Sequence, residues 1–428
     1  MNFIHGRFAS KREALSKSAA YWNPAKTQFW QDVGIDFIID RREGYFLYDY
    51  SGKRLIDLHL NGGNFNLGHL NPELVETLKE GLNHFDMGNH HFPSLCRTAL
   101  AEALHEASPD SLIYTVYGAS GSEASDIAIK SARYATGRRK IVSAFKSYHG
   151  STGLSVCAGD ERFTGRFLIA RPEEFVNVPF NDLGAMERAL AGGDVAAVIL
   201  ETIPATYGFL MPHEDYLPGV KALCERHGAL YIADEVQAGM MRTGEMWAAV
   251  KCGVVPDIIV VAKGIGGGIF PLGCAIMNER AGGWLKEDGF AHISTGGGSE
   301  IACVVALKVL EITQRPEVRA NIRARAAQFR TGLDEIRVRH PDFFTGIRQN
   351  GLIFGLEFPR PKGANPVMRS LYRNGIWAIF STFDPSVLQF KPGLLVDEAL
   401  ADEILAIMDR SIAEAHEAVR HGRETIEG

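Results

Sequence analysis

The chain is poor in the features that mark several large classes of protein. Its six cysteines, Cys96, Cys157, Cys224, Cys252, Cys274 and Cys303, are scattered with no CxxC spacing. That argues against a disulfide scaffold or a cysteine-rich metal module, so no metal is expected and the thiols are read as small apolar core residues. No apolar stretch approaches the roughly 18 residues that a membrane span needs. The opening stretch MNFIHGRFASKREALSKSAAYWNPA mixes charge with polarity and has no signal-peptide core. A cytoplasmic location without a membrane partner is therefore expected. Lys and Arg total 45 against 51 Asp and Glu, a net charge of −6, and no basic block stands out. Small molecules, and not nucleic acid, are the expected partners. Internal repeats and low-complexity segments are also missing.

What is present is length and apolar content, with 428 residues and 46% hydrophobic, enough for a substantial core and for two domains. Gly and Pro punctuate the chain at intervals that suit alternating strands and helices, the pattern of an α/β layer fold.

The segment from Val195 to Gly268 is the most informative. It reads as a strand over Ala196 to Leu200, a helix over Tyr216 to Gly228 ending on glycine, a strand over Ala229 to Gln237, and a strand over Ile258 to Lys263. The unbroken apolar runs suit parallel strands buried on both faces. Such sheets bind ligands beyond the carboxyl ends of their strands, where this reading delivers Asp234 and Lys263. A carboxylate and a lysine that meet there suit pyridoxal phosphate: the amine forms a Schiff base with its aldehyde, and the carboxylate keeps its pyridine nitrogen protonated. Taken alone, the two residues read equally well as a surface ion pair. Alternation along the strand puts Val236 on the same side as Asp234 and Glu235 on the opposite side.

Further upstream, GASGSEA over Gly118 to Ala124 leads into a helix with the apolar face Ala124, Ile127, Ala128, Ser131 and Ala135. The free N–H groups of Gly121 and Ser122 then sit at a helix N-terminus, a ready anion site, although simple capping explains such a turn as well. Near the chain end, Leu400, Ile404, Ile407, Met408, Ile412, Ala415 and Val419 recur at helical spacing after a cap at Asp397, which predicts a packing helix. Two other nucleotide readings fail. Ile269 stands where a GxGxxG fingerprint needs glycine, and Lys263 precedes its glycines where a Walker lysine follows them.

Three blocks, GASGSEASDIAIKSAR (Gly118 to Arg133), YIADEVQAGMMRTG (Tyr231 to Gly244) and PDIIVVAKGIGGGIFPLG (Pro256 to Gly273), resemble the class III aminotransferases, pyridoxal-phosphate enzymes of fold type I. The likeness runs from about Asp57, in DLHLNGGNFNLGHLNPELV, to about Val396, in VLQFKPGLLV. It implies a mostly parallel, seven-stranded sheet in a large domain over 58–317. A small α/β domain would be built from both chain ends, 1–57 and 318–428. It also implies amino-group transfer from an amine or amino acid to a keto acid or aldehyde by a ping-pong route. Racemases, aminomutases, decarboxylases and lyases on the same scaffold are the alternative.

Carried over residue by residue, the resemblance gives Gly121 and Ser122 the cofactor phosphate. Ala119 departs from the Asn or Ser common in the family. Tyr148, with His149 beside it, goes over one ring face and Val236 over the other, and Gln237 goes to the phenolic oxygen. Glu201 is brought near the cofactor, with Thr202 where the family often has proline. Thr295, in the glycine-rich stretch FAHISTGGGSE, is given the phosphate of a neighbouring subunit, which implies a homodimer with shared active sites. An unusual turn explains that stretch as well. Gln389 occupies the position where many members carry a carboxylate-binding arginine, leaving Lys391, Arg242 or Arg373 as substitutes. Tyr21, Trp22, Phe29, Trp30 and Phe65 either line an apolar substrate pocket or pack in the core.

Overall fold

A computed structural model describes residue 4 and residues 6–427. A central seven-stranded sheet carries the architecture, in the order β4, β10, β9, β8, β7, β5, β6. These are β4 (Leu112–Gly118), β5 (Lys140–Ala144), β6 (Phe175–Val178), β7 (Val195–Glu201), β8 (Leu230–Asp234), β9 (Ile258–Val261) and β10 (Gly273–Asn278). Only β10 runs antiparallel to its neighbours. The expected mostly parallel α/β sheet is thus present.

The middle strands are buried along their whole length, which explains their uninterrupted apolar sequences. Alternation divides them between two layers. Ile199, Ile232 and Val260 join Ile127 and Ala128 of the helix Gly121–Thr136 on one side. Val198, Leu200, Tyr231 and Ala233 join Leu217 and Val220 of the helix Tyr216–His227 on the other. That second helix ends on Gly228 in the left-handed conformation, φ 68°, as its sequence predicts.

Two strands end earlier than their sequences suggest. β8 stops at Asp234, so Val236 and Gln237 lie in a turn, and β9 stops at Val261. The early stop of β8 has a local cause: the Asp234 carboxylate accepts the N–H of Val236 at 3.1 Å, a side-chain bond that replaces the ladder. Lys263 opens a short 3₁₀ turn, Lys263–Gly266, with φ +49°, a left-handed backbone that is rare outside glycine.

Two smaller four-stranded sheets flank the central one. β1 (Ile39–Glu43), β2 (Phe46–Asp49) and β3 (Arg54–Asp57) are joined by β13 (Ile376–Trp377), which pairs in parallel with β3. The other contains β11 (Gly346–Asn350), β12 (Ile353–Glu357), β15 (Asp384–Phe390) and β14 (Ile379–Ser381). The helix Glu398–Arg420 closes this end and is capped by Asp397, whose carboxylate accepts the N–H of Leu400 at 2.8 Å. Cys157, Cys224, Cys274 and Cys303 are buried and Cys96 and Cys252 half-buried, all as free thiols. Among the described residues no helix is long and apolar enough to cross a membrane, and no group of His, Cys, Asp and Glu gathers as a metal site would.

Candidate active site

The carboxyl ends of β7, β8 and β9 bring Glu201, Asp234 and Lys263 to one cleft of about 280 Å³. Adjacent register sets this up, because Glu201 lies opposite Asp234 across β7 and β8. Asp234 is buried and anchored from behind: Oδ2 meets His149 Nδ1 at 2.7 Å, and His149 Nε2 meets Ser143 Oγ at 3.0 Å. A carboxylate held between His149 and the Val236 N–H is fixed in orientation, as a partner for a ligand nitrogen must be.

The electrostatics follow from burial and proximity. Burial, with Asp234 alongside, pushes the Glu201 carboxyl up to about 7, although it accepts the N–H groups of Tyr148 at 3.0 Å and Ala205 at 3.1 Å. Burial also lowers Lys263 from an ordinary lysine's value, opposed by the charges of Asp234 and Glu201. A lysine lowered in this way carries more free amine, the form that attacks an aldehyde.

At the other side of the cleft the helix Gly121–Thr136 begins. Ser120 caps it by accepting the Glu123 N–H at 3.2 Å, and the Glu123 carboxylate accepts the Ala119 N–H at 2.7 Å. The N–H groups of Gly121 and Ser122, first in the helix, have no intrahelical carbonyl to meet and line the cleft. Ser122 Oγ accepts the Ser151 N–H at 3.0 Å, which draws the loop after β5 over the helix end. Gly150 in that loop has φ +148°, and a Cβ there would come 2.4 Å from Ser155 Oγ and 2.8 Å from Ser122 Oγ, so the close approach needs glycine.

Tyr148, His149, Val236 and Gln237 line the same cleft. Val236 arrives by way of the turn and not by strand alternation, whereas Glu235 does face away, taking Thr202 Oγ1 at 2.6 Å and the N–H groups of Ala248 and Ala249. The Thr202–Glu235 bond ties the end of β7 to the residue after β8. His149 turns out to support Asp234. Gln237 Oε1 is buried without a hydrogen-bond partner, an acceptor open to a ligand.

Several expected residues are not brought to this cleft. Thr295 is exposed beside a separate cavity of about 620 Å³ that it shares with Asn89, Phe92, Phe290 and Ile293. Its carbonyl accepts the Asn89 N–H at 2.9 Å. Gln389 is buried with both ends engaged, donating to the Ala205 carbonyl at 3.1 Å and accepting from Lys391 Nζ at 2.7 Å. Arg242 is buried against the carbonyls of Pro392 and Leu352, and Arg373 is exposed on the helix Ala364–Asn374. None of these cations lines the cleft. Tyr21 and Trp22 are exposed, Phe29 and Trp30 pack edge-on against Phe380 and Trp377, and Phe65 lies on His69. None of these aromatics lines the cleft; Trp22 and Trp30 line a separate apolar pocket with Leu47, Leu55 and Trp377.

The sequence reading missed Gly62, Asn64 and the segment Phe270 to Leu272. The last two line the cleft. Gly62 abuts it so closely that a Cβ would stand 3.1 Å from Lys263 Cε. The adjacent pair Gly62 and Gly63, both with positive φ, was the available signal.

The buried acceptor on Gln237, the helix N-terminus, the fixed carboxylate and the adjacent lysine together fit pyridoxal phosphate by donor chemistry. Comparison with known proteins agrees. Residues 30–412 match the family described as aminotransferase class III. A relative from Archaeoglobus fulgidus, described as an uncharacterized aminotransferase, is 43% identical over 97% of both chains. A putrescine aminotransferase from Pectobacterium atrosepticum is 30% identical, covering 93% of this chain and 88% of its own. Among solved structures, taurine:2-oxoglutarate aminotransferase from Bifidobacterium kashiwanohense, in complex with PLP and glutamate, has a TM-score of 0.82 at 26% identity, covering 89% of this chain and 93% of its own. The chain belongs to the class III aminotransferases, which depend on pyridoxal phosphate.

Proposed function

We propose that the cleft formed by Asp234, Lys263, the Gly121–Ser122 helix start and Gln237 is the transamination site. The observation that carries this reading is the meeting of Asp234 and Lys263 beyond the carboxyl ends of adjacent parallel strands. Pyridoxal phosphate, when bound, supplies an aldehyde that exchanges amines and a ring that withdraws electrons from the substrate Cα.

The chain's own residues divide the remaining work. The N–H groups of Gly121 and Ser122, at the positive end of the helix, hold the phosphate. Tyr148 and Val236 bound the ring and exclude water, and Gln237 hydrogen-bonds the phenolic oxygen. Asp234, oriented by His149, holds the ring nitrogen in its protonated state. Lys263 would hold the cofactor, and its amine, lowered by burial, is placed to take a proton from the substrate Cα and return it. Glu201 stays beside Asp234 and holds the Tyr148 backbone.

The same reading extends to the assembly. A homodimer is supported by the exposed apolar side chains Phe92, Phe290 and Ile293 around Thr295, which would reach the partner's phosphate. A large domain over 58–317 and a small domain from both ends are supported by the pairing of β3 with β13. Nothing in the composition opposes a cytoplasmic location.

The test follows the visible absorbance of the loaded enzyme while amines and amino acids are added singly with no keto acceptor. Loss of the visible band with release of one carbonyl product per site, reversed by a keto acid, is the expected result and identifies the donor. A band that persists while the compound is racemised or cleaved overturns the reading. Lys263→Ala should lower turnover at least about a hundredfold, the usual reach of a positioned acid and base.

A further inference from the structure

Four consecutive residues over the cleft, Leu60, Asn61, Gly62 and Gly63, have φ of +49°, +47°, +72° and +89°. Two of them are not glycine, and consecutive left-handed residues persist only where the surroundings impose them. The turn stands directly against the reactive lysine, since a Cβ on Gly62 would lie 3.1 Å from Lys263 Cε and 3.2 Å from Gln237 Oε1. Gly63 in turn faces Asn66 Oδ1, and a Cβ on Gly264, next to Lys263, would lie 2.8 Å from Asn66 Nδ2.

The side chain that imposes the turn is Asp57, buried at the end of β3. Its Oδ1 accepts the N–H of His59 at 3.0 Å and of Leu60 at 2.8 Å, fixing the two residues that enter the left-handed run. Its Oδ2 faces His69 Nε2 at 3.0 Å. Because the facing atom belongs to a carboxylate, Nε2 is the donor, and His69 is itself locked by Phe65, whose ring centre is 4.1 Å from its own. Leu60 is fully buried, which pins the start of the turn to the core.

We propose that Asp57 and His69 form a positioning pair that holds the Leu60–Gly63 turn against Lys263 as the wall that aims its amine. The inference rests on Lys263 being the acting amine, and adds the device that orients it. His69 does not line the cleft, and acts through Asp57 and the turn.

The experiment uses cofactor-free enzyme, and compares wild type with His69→Leu, which removes the donor, and His69→Gln, which keeps an amide donor. Hydrogen exchange followed by mass spectrometry reads the peptide spanning 58–70, and the rate at which pyridoxal phosphate is captured on Lys263 is read by borohydride trapping. In His69→Leu, exchange at His59 and Leu60 should accelerate about tenfold. Capture should slow about tenfold, in line with the cost of a small misplacement, while the donor KM, measured separately after the enzyme is fully loaded, changes less than about twofold. His69→Gln should restore most of both. Faster exchange with unaltered capture, or unaltered exchange, overturns the proposal. Gly62→Ala guards against a His69→Leu chain that does not fold: it leaves the pair intact and crowds Lys263, so slow capture is expected, with exchange over 58–70 raised by the alanine strain at φ +72° but less than in His69→Leu, and normal capture counts against the wall. If wild-type enzyme captures pyridoxal phosphate at another lysine, the underlying assignment of Lys263 fails instead.

Discussion

At the scale of single residues, the site works by setting charges against burial. Glu201 and Asp234 lie side by side at neighbouring strand ends, both buried, so a charge on Glu201 is penalised by burial and by its neighbour. His149 and the Val236 N–H both bond the Asp234 carboxylate, and burial with that carboxylate alongside pushes Glu201 up to about 7. The sign of the consequence is definite. A folded value above the ordinary 4.5 means that the folded chain keeps a proton the unfolded chain releases. The associated stability is complete below about 4.5 and is lost as pH rises to about 7. Cofactor-free wild type should therefore lose about 1 to 3 kcal/mol relative to Glu201→Gln across that window. Thermal melts at a series of pH values measure it, and parallel curves would show that Glu201 does not titrate there. Lys391 illustrates the opposite bias. Burial, with Arg242 and Lys263 nearby, holds it well below an ordinary lysine, and it donates to the neutral amide of Gln389. It is poorly suited to serve as the fixed cation that the Gln389 position lacks.

At the scale of elements, strands β7 to β9 were legible because an apolar run buried on both faces has no competing pattern. Their ends were less so. Val236 and Gln237 suit a strand by composition, yet the Asp234 side chain captures the Val236 N–H and turns the chain. The left-handed backbone of Lys263 likewise has no signature in a lysine. His149 could be seen as a site residue through the family resemblance, but its bond to Asp234 joins positions 85 residues apart, which no local pattern encodes. The Asp397 cap was readable, since it needs only a carboxylate before an apolar helix. Asp397→Ala should cost about 1 kcal/mol, the usual worth of such a cap, and lower the melting temperature with kcat unchanged. A drop in kcat at the same stability would mean that the helix Glu398–Arg420 communicates with the cleft.

At the scale of the whole molecule, one chain has its lysine, its carboxylate and its helix start in a single cleft but leaves Thr295 outside it, on a surface that is apolar in an unusual way. Phe92, Leu95, Phe290 and Ile293 are each more than half exposed, with Met87 close by in the chain, and Phe92, Phe290, Ile293 and Thr295 line one cavity. Single exposed apolar side chains are ordinary, but a group of this size around one cavity is the kind of surface that an interaction covers, which supports the proposed homodimer. The proposed homodimer would cover this surface with a second copy, and the role proposed for Thr295 requires a two-fold axis that carries it to the other chain's cleft. On this proposal wild type sediments as a dimer at micromolar concentration, and Phe92→Asp combined with Ile293→Glu should convert it into monomer. Affinity for pyridoxal phosphate should fall at the same time, because the monomer would lack the donor contributed across the interface. Thr295→Ala should weaken that affinity while leaving the dimer intact, by about 1 kcal/mol for one lost hydrogen bond, or about fivefold. A monomeric double variant that binds the cofactor as tightly as wild type would separate assembly from the site and return Thr295 to the role of a turn residue.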